Sequence, residues 1–172
     1  MTKRIFLPYL SPAACEAYAS VIEKGSAVFF TVTDAAAAPA VSAALEGSAS
    51  VVGWAHTPAM TLEDAAPATV QCAETLGGID ELIFMPQLPK AEPLFLDIPE
   101  DSFLSCTSAL NALFSVCKCA LPYMLGETEV AIKIVSPEGK ELTSRVYRAA
   151  VEAFIEALNS ELSALGIRAS AI

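Results

Sequence analysis

Short apolar runs alternate with longer helical stretches along the whole 172-residue chain, and that alternation most limits its fold. The runs are 4–8, 27–33, 50–55, 82–85, 130–135 and 167–172. Several are rich in β-branched and aromatic residues, and all are short, which suits strands buried on both faces of a sheet. Helical stretches fill the spaces at 12–24, 35–46, 62–76, 101–124 and 143–165. Ser11 followed by Pro12 marks a helix start, and Gly25, Gly77-Gly78 and Gly166 mark helix ends. Proline-rich residues 86–98 are expected to form a loop. Strand–helix alternation builds right-handed crossovers, hence a mainly parallel sheet with helices on both faces. The expected fold is a single three-layer α/β domain over residues 1–172, with a mainly parallel sheet of about six strands.

Composition narrows what such a domain can meet. The chain is 54% hydrophobic and only 17% charged, more apolar than a lone domain of this size needs. A membrane or a protein partner must take the surplus. A net charge of −10 repels phosphate backbones, which argues against nucleic acid. The start Met1-Thr2-Lys3-Arg4 runs straight into Ile5-Phe6-Leu7, too short an apolar run for a signal peptide, so the cytoplasm is expected. Residues 103–124 hold one charged residue, Lys118, and are long enough to span a bilayer. Their serines, threonine and asparagine, and their place inside the βα pattern, fit a helix packed on two sides better. Cys15, Cys72, Cys106, Cys117 and Cys119 include no CxxC pair. A two-residue step turns about 200° around a helix, so Cys117 and Cys119 cannot face one metal. All five read as buried free thiols, with no metal site. His56, the only histidine, reads as a surface residue.

Several segments resemble short-chain dehydrogenases/reductases. Gly77-Gly78-Ile79-Asp80-Glu81-Leu82-Ile83 resembles that family's lead into its fourth strand. Residues 148–154 and 161–168 resemble its last catalytic helix and the strand after it, and 99–124 its long interface helix. The resemblance is strong over 77–172 and weak over 1–76. It implies a Rossmann sheet of strand order 3-2-1-4-5-6-7.

The departures from that pattern carry the functional reading. The family's first turn is glycine-rich, so that backbone amides can reach a pyrophosphate. Here the turn is Pro8-Tyr9-Leu10-Ser11-Pro12-Ala13-Ala14-Cys15, without glycine and with two prolines that carry no N–H. The family's "NNAG" after strand four becomes Phe84-Met85-Pro86-Gln87. Carrying over its Asn-Ser-Tyr-Lys set puts the four positions on Ala109, Ser136, Ser144 and Arg148. Only the serine survives, and an aliphatic hydroxyl cannot replace an activated phenol as acid or base. The loop from Ser136 to Ser144 is short for the family, and its "PG" motif, substrate lid and seventh strand do not follow Ile172. No catalytic residue and no bound cofactor are therefore expected in this chain. A Ser-Tyr-Arg set of the halohydrin-dehalogenase type is weakened because Tyr147 and Arg148 are adjacent and diverge by about 100°.

Two helices keep wide apolar surfaces although the chemistry has gone. On 144–165 the polar residues Arg148, Glu152, Glu156, Asn159 and Ser163 form one narrow stripe, with apolar residues on most of the remaining circumference. In the resembling family these helices pair with their counterparts. The residues expected at such a contact are Phe103, Leu110, Leu113, Phe114, Cys117, Leu121, Val146, Tyr147, Val151, Phe154, Leu158 and Leu162. The expected role is a non-catalytic subunit docked through helices 101–124 and 144–165. Its partner would be a catalytically complete paralogue, which brings the NAD and forms a heterotetramer with this chain at the periphery, or a second copy. A self-associating binder of a small molecule or acyl-CoA, and a cofactor-free enzyme, are the alternatives.

Overall fold

Six parallel strands lie side by side in the order β3-β2-β1-β4-β5-β6. They are Arg4–Leu7, Ala27–Val32, Ser50–His56, Glu81–Phe84, Val130–Ile134 and Ile167–Ala171, numbered β1 to β6. The helices are α1 (Cys15–Val21), α2 (Ala38–Leu45), α3 (Leu62–Leu76), α4 (Glu100–Met124) and α5 (Leu142–Leu162). This computed structural model describes residues 2–59, 61–88, 98–125, 129–137 and 139–172. Most of the loop expected over 86–98 lies outside the described residues.

The central strands form because both their faces are buried, while the edge strands β3 and β6 keep exposed positions. In β1, Phe6 faces the core beneath α3, α4 and α5, while Ile5 and Leu7 face the core beneath α1 and α2. The three-layer Rossmann-like fold is thus present, with the reversal of strand order at β1 and β4. At the sheet's N-terminal edge, the Gly77-Gly78-Ile79-Asp80-Glu81 segment has a structural task. Gly77 ends α3 in the left-handed region (φ 76), and both it and Gly78 return amides to the Ala73 carbonyl. Ile79 enters the core, Asp80 takes two hydrogen bonds from the Arg4 guanidinium, and buried Glu81 pairs with Lys3 and Lys133.

Three helix expectations need correction. The stretch 12–24 is not one helix: a 3-10 turn over Pro12–Ala14 precedes α1, and α1 ends at Val21. Ile22 goes extended so that its side chain is buried, which leaves Gly25 in a separate turn. Ser11 makes no side-chain cap. The stretch 35–46 likewise splits into a 3-10 turn, capped by the Asp34 carboxylate, and α2. α5 also stops at Leu162, and a 3-10 turn covers 163–165.

Candidate functional site

In a fold of this kind, a ligand site belongs at the C-terminal ends of the strands, where β1 and β4 diverge. The turn after β1 is closed there by its own neighbours. Tyr9 has a left-handed backbone (φ 55), a conformation that glycine takes without strain. Its ring is buried and meets Phe84 edge-on, with centroids 6.4 Å apart. The Tyr9 amide donates to Thr31 Oγ1 at 2.8 Å, and the Leu10 amide to the Thr31 carbonyl at 2.6 Å. From across the strand-order switch, Gln87 Nε2 donates to the Tyr9 carbonyl at 2.7 Å. Ala14 N–H is given to the Ser11 carbonyl and Cys15 N–H to the Pro12 carbonyl. Pro8 and Pro12 have no N–H to offer. The amides of Tyr9, Leu10, Ala14 and Cys15 are thus engaged by the chain's own acceptors, two prolines offer none, and the buried Tyr9 ring fills the turn, so these residues do not fit a diphosphate. Thr31 and Gln87 are the residues sequence reasoning missed. One faint signal was the hydroxyl of Thr31 inside an otherwise apolar strand.

The carried-over catalytic positions do not assemble a reactive centre. Ala109 is buried in α4, with no group able to hold a proton. Ser136 follows β5, and its amide donates to the Ile172 carbonyl at 2.9 Å. Ser144 is buried in the first turn of α5, close against Gly139. The Arg148 guanidinium donates to the carbonyls of Pro137 at 2.6 Å and Gly139 at 3.1 Å. Ser136, Ser144 and Arg148 therefore border one loop, which the arginine ties down. Tyr147 points the other way, into the core, where burial, reinforced by nearby Cys106 and Cys117, raises its phenol far above the ordinary value. Its hydroxyl has no hydrogen-bond partner. The structure thus does not bring Tyr147 together with Ser136 and Arg148.

Two open pockets flank this region. One, of about 470 Å³, lies between α1 and the ends of β4 and β5, lined by Ala17, Val21, Met85 and Val135 with the hydroxyl residues Ser20 and Ser136. It has no charged side chain to hold a phosphate. The other, of about 410 Å³, lies beside β3 at Trp54, His56 and Asp64. Two of its polar groups are engaged: His56 Nε2 stands 3.2 Å from the Thr33 carbonyl, and Asp64 accepts from the Ala59 amide at 2.9 Å. Among the described residues no cluster of His, Cys, Asp and Glu could hold a metal. Burial pushes the Cys117 thiol up to about 12.

α4 and α5 lie side by side on one face of the sheet. α4 is long and apolar enough to cross a membrane by length and composition, but here it packs against α3, α5 and β4. Of the expected contact residues, Phe103 (45% exposed) and Phe114 (50%) face outward. Leu110, Leu121, Val146, Phe154, Leu158 and Leu162 are partly buried at the rim of the core. Leu113, Cys117, Tyr147 and Val151 must be withdrawn as contact residues: they are at most 2% exposed and sit on the helix sides that face the sheet. The polar stripe on α5 also needs correction. Asn159 exchanges two hydrogen bonds with the Ala169 backbone of β6, and Arg148 clamps its loop, so neither stands free in solvent. The outward face of α5 instead carries Arg145, Ala149, Glu152, Ala153, Glu156 and Ala157.

No family model matches the chain, and no curated protein matches it at a significant level. Solved structures do. It is similar to a short-chain oxidoreductase of Pseudomonas aeruginosa PAO1 that contains an atypical catalytic center, with TM-score 0.77 and 15% identity over 97% of this chain and 68% of that one. A short-chain dehydrogenase of Mycobacterium thermoresistibile gives TM-score 0.79 at 15% identity, covering 98% of this chain and 66% of that one. An NADH-dependent reductase complexed with NAD gives 0.76 at 15% identity over 99% and 77%. At these identities the likeness establishes the fold of short-chain dehydrogenases, and the chain spans roughly two thirds to three quarters of such proteins.

Proposed function

We propose that this chain is a degenerate member of the short-chain dehydrogenase/reductase family that acts as a non-catalytic subunit and docks onto a chain of the same fold through α4 and α5. The observation that carries this reading is the closed first turn: Tyr9, Thr31 and Gln87 use the space and the hydrogen bonds that a dinucleotide would need. The exposed Phe103, Leu104 and Phe114 of α4, with Leu125 just past its end, supply the apolar surface for docking. The partner is a catalytically complete paralogue, which holds NAD in a heterotetramer with this chain outside, or a second copy. The complex works in the cytoplasm as an alcohol dehydrogenase. In design it resembles 2-[hydroxy(phenyl)methyl]succinyl-CoA dehydrogenase of anaerobic toluene degradation, which joins an active to an inactive subunit of this fold. A 2-(hydroxyaryl-methyl)succinyl-CoA is the substrate type proposed for the partner's active site.

The test is the native mass and composition of the protein purified from its own cells, with NAD-dependent turnover measured on the complex and on this chain alone. The expected result is an oligomer of chains of this fold and no turnover by the isolated chain. Turnover by the isolated chain contradicts the reading. The apolar pocket beside α1 favours a second reading, a self-associating binder of a small molecule or an acyl-CoA. A ligand-induced rise in melting temperature across a metabolite panel supports that one, and no shift removes it.

A further inference from the structure

The two edges of the sheet end differently. At β6, Asn159 Nδ2 donates to the Ala169 carbonyl at 2.9 Å, and Asn159 Oδ1 accepts from the Ala169 amide at 2.8 Å. The chain thus caps that edge with its own side chain. At β3 it does not. The Thr57 amide turns inward to the Val32 carbonyl. Backbone groups alternate in direction along a strand, so Ala55 and Gly53 also face β2, while Trp54 and His56 face away. Among the described residues no hydrogen bond takes these outward backbone groups. The strand is regular from Gly53 onward, past a bulge that leaves Val52 without an opposite residue. Val52 and Trp54 on the strand are exposed, as are Leu62 and Val70 on α3, which packs against it.

The charge around this edge has one sign. No lysine or arginine stands between Lys24 and Lys90. The two helices packed on β3 therefore present acids alone: Glu46 at the end of α2, and Glu63, Asp64 and Glu74 on α3. None of the four pairs with a cation among the described residues. Glu74 adjoins Thr75, whose methyl lies over Gly53, and Asp64 shares the 410 Å³ pocket with Trp54 and Pro67. A second copy at this edge would set the same acids against each other, on a chain of net charge −10. A basic strand meets complementary charge there.

We infer that the β3 edge accepts an extended basic segment of another protein, which adds to the sheet beside β3. Its backbone bonds the outward groups of Trp54 and His56, its apolar side chains cover Val52 and Trp54, and its lysines or arginines reach Glu63, Asp64 and Glu74. This surface is separate from α4 and α5, and the inference does not depend on docking there.

A fluorescent peptide of alternating valine and lysine, titrated into the full chain at low salt, tests it. Amide hydrogen exchange is followed on the same samples, and circular dichroism confirms that each variant folds. Saturable binding is expected, with slowed exchange at Trp54 and His56. Trp54→Lys, which sets a charge on the edge, and the double variant E63K/E74K, which alters exposed residues only, should each weaken binding by roughly tenfold. The same peptide with its amides N-methylated keeps the charge but has no N–H to give, and should not bind measurably. Absence of binding to the wild type overturns the inference. So does equal binding of the methylated peptide, or binding that leaves exchange at Trp54 and His56 unchanged, since either marks adsorption by charge alone. Self-association of the wild type that W54K abolishes also overturns it, because a second copy then holds the edge.

Discussion

Tyr9 stands at a left-handed position where glycine would be unstrained, and its ring is built into the core. Tyr9→Gly suits the backbone but removes a large buried side chain. Urea unfolding should show a net loss of about 2–4 kcal/mol. The hydroxyls of Tyr9 and Tyr147 are buried without partners. Removing each as Tyr9→Phe or Tyr147→Phe should leave stability unchanged or raise it by up to about 1 kcal/mol, since no hydrogen bond is lost. Asp80 behaves in the opposite way. The Arg4 guanidinium holds its carboxyl below the usual carboxylate range. A carboxyl depressed in the folded state stabilises above its unfolded pKa, near 4, and the gain is lost as pH falls through the lower folded value. Stability should therefore drop below about pH 4 by about 1 kcal/mol on account of this group, and Asp80→Asn should flatten that part of the profile.

At the scale of elements, periodicity and turn residues made most of the fold legible. The central strands read as short apolar runs because both sheet faces are covered there, and Gly77 and Gly166 end their segments in left-handed turns. What failed depends on contacts distant in sequence. α1 is shortened by the burial of Ile22, and the seal on the first turn needs Gln87, 78 residues from Tyr9. The missing glycines were visible along the chain; the residues that fill their place were not. On α5, hydrophobicity could not distinguish a polar residue facing water from Asn159 facing the edge strand. That contact gives a prediction of its own: Asn159→Ala should cost about 1–2 kcal/mol, measured by thermal unfolding, because β6 loses both partners.

For the whole molecule, the proposed function is one in which the fold is kept and the chemistry is not. The sheet keeps its six-strand order, and the helices keep their layers on both faces. Yet the switch point that serves as a ligand crevice in such folds is occupied by side chains. The buried ion pairs at the opposite edge, Lys3 and Lys133 on Glu81, belong to the scaffold. Isothermal titration of the isolated chain with NAD and NADH is the most direct measurement. No heat of binding is expected at millimolar nucleotide. Saturable one-to-one binding with a micromolar Kd would contradict the closed crevice and the non-catalytic role built on it.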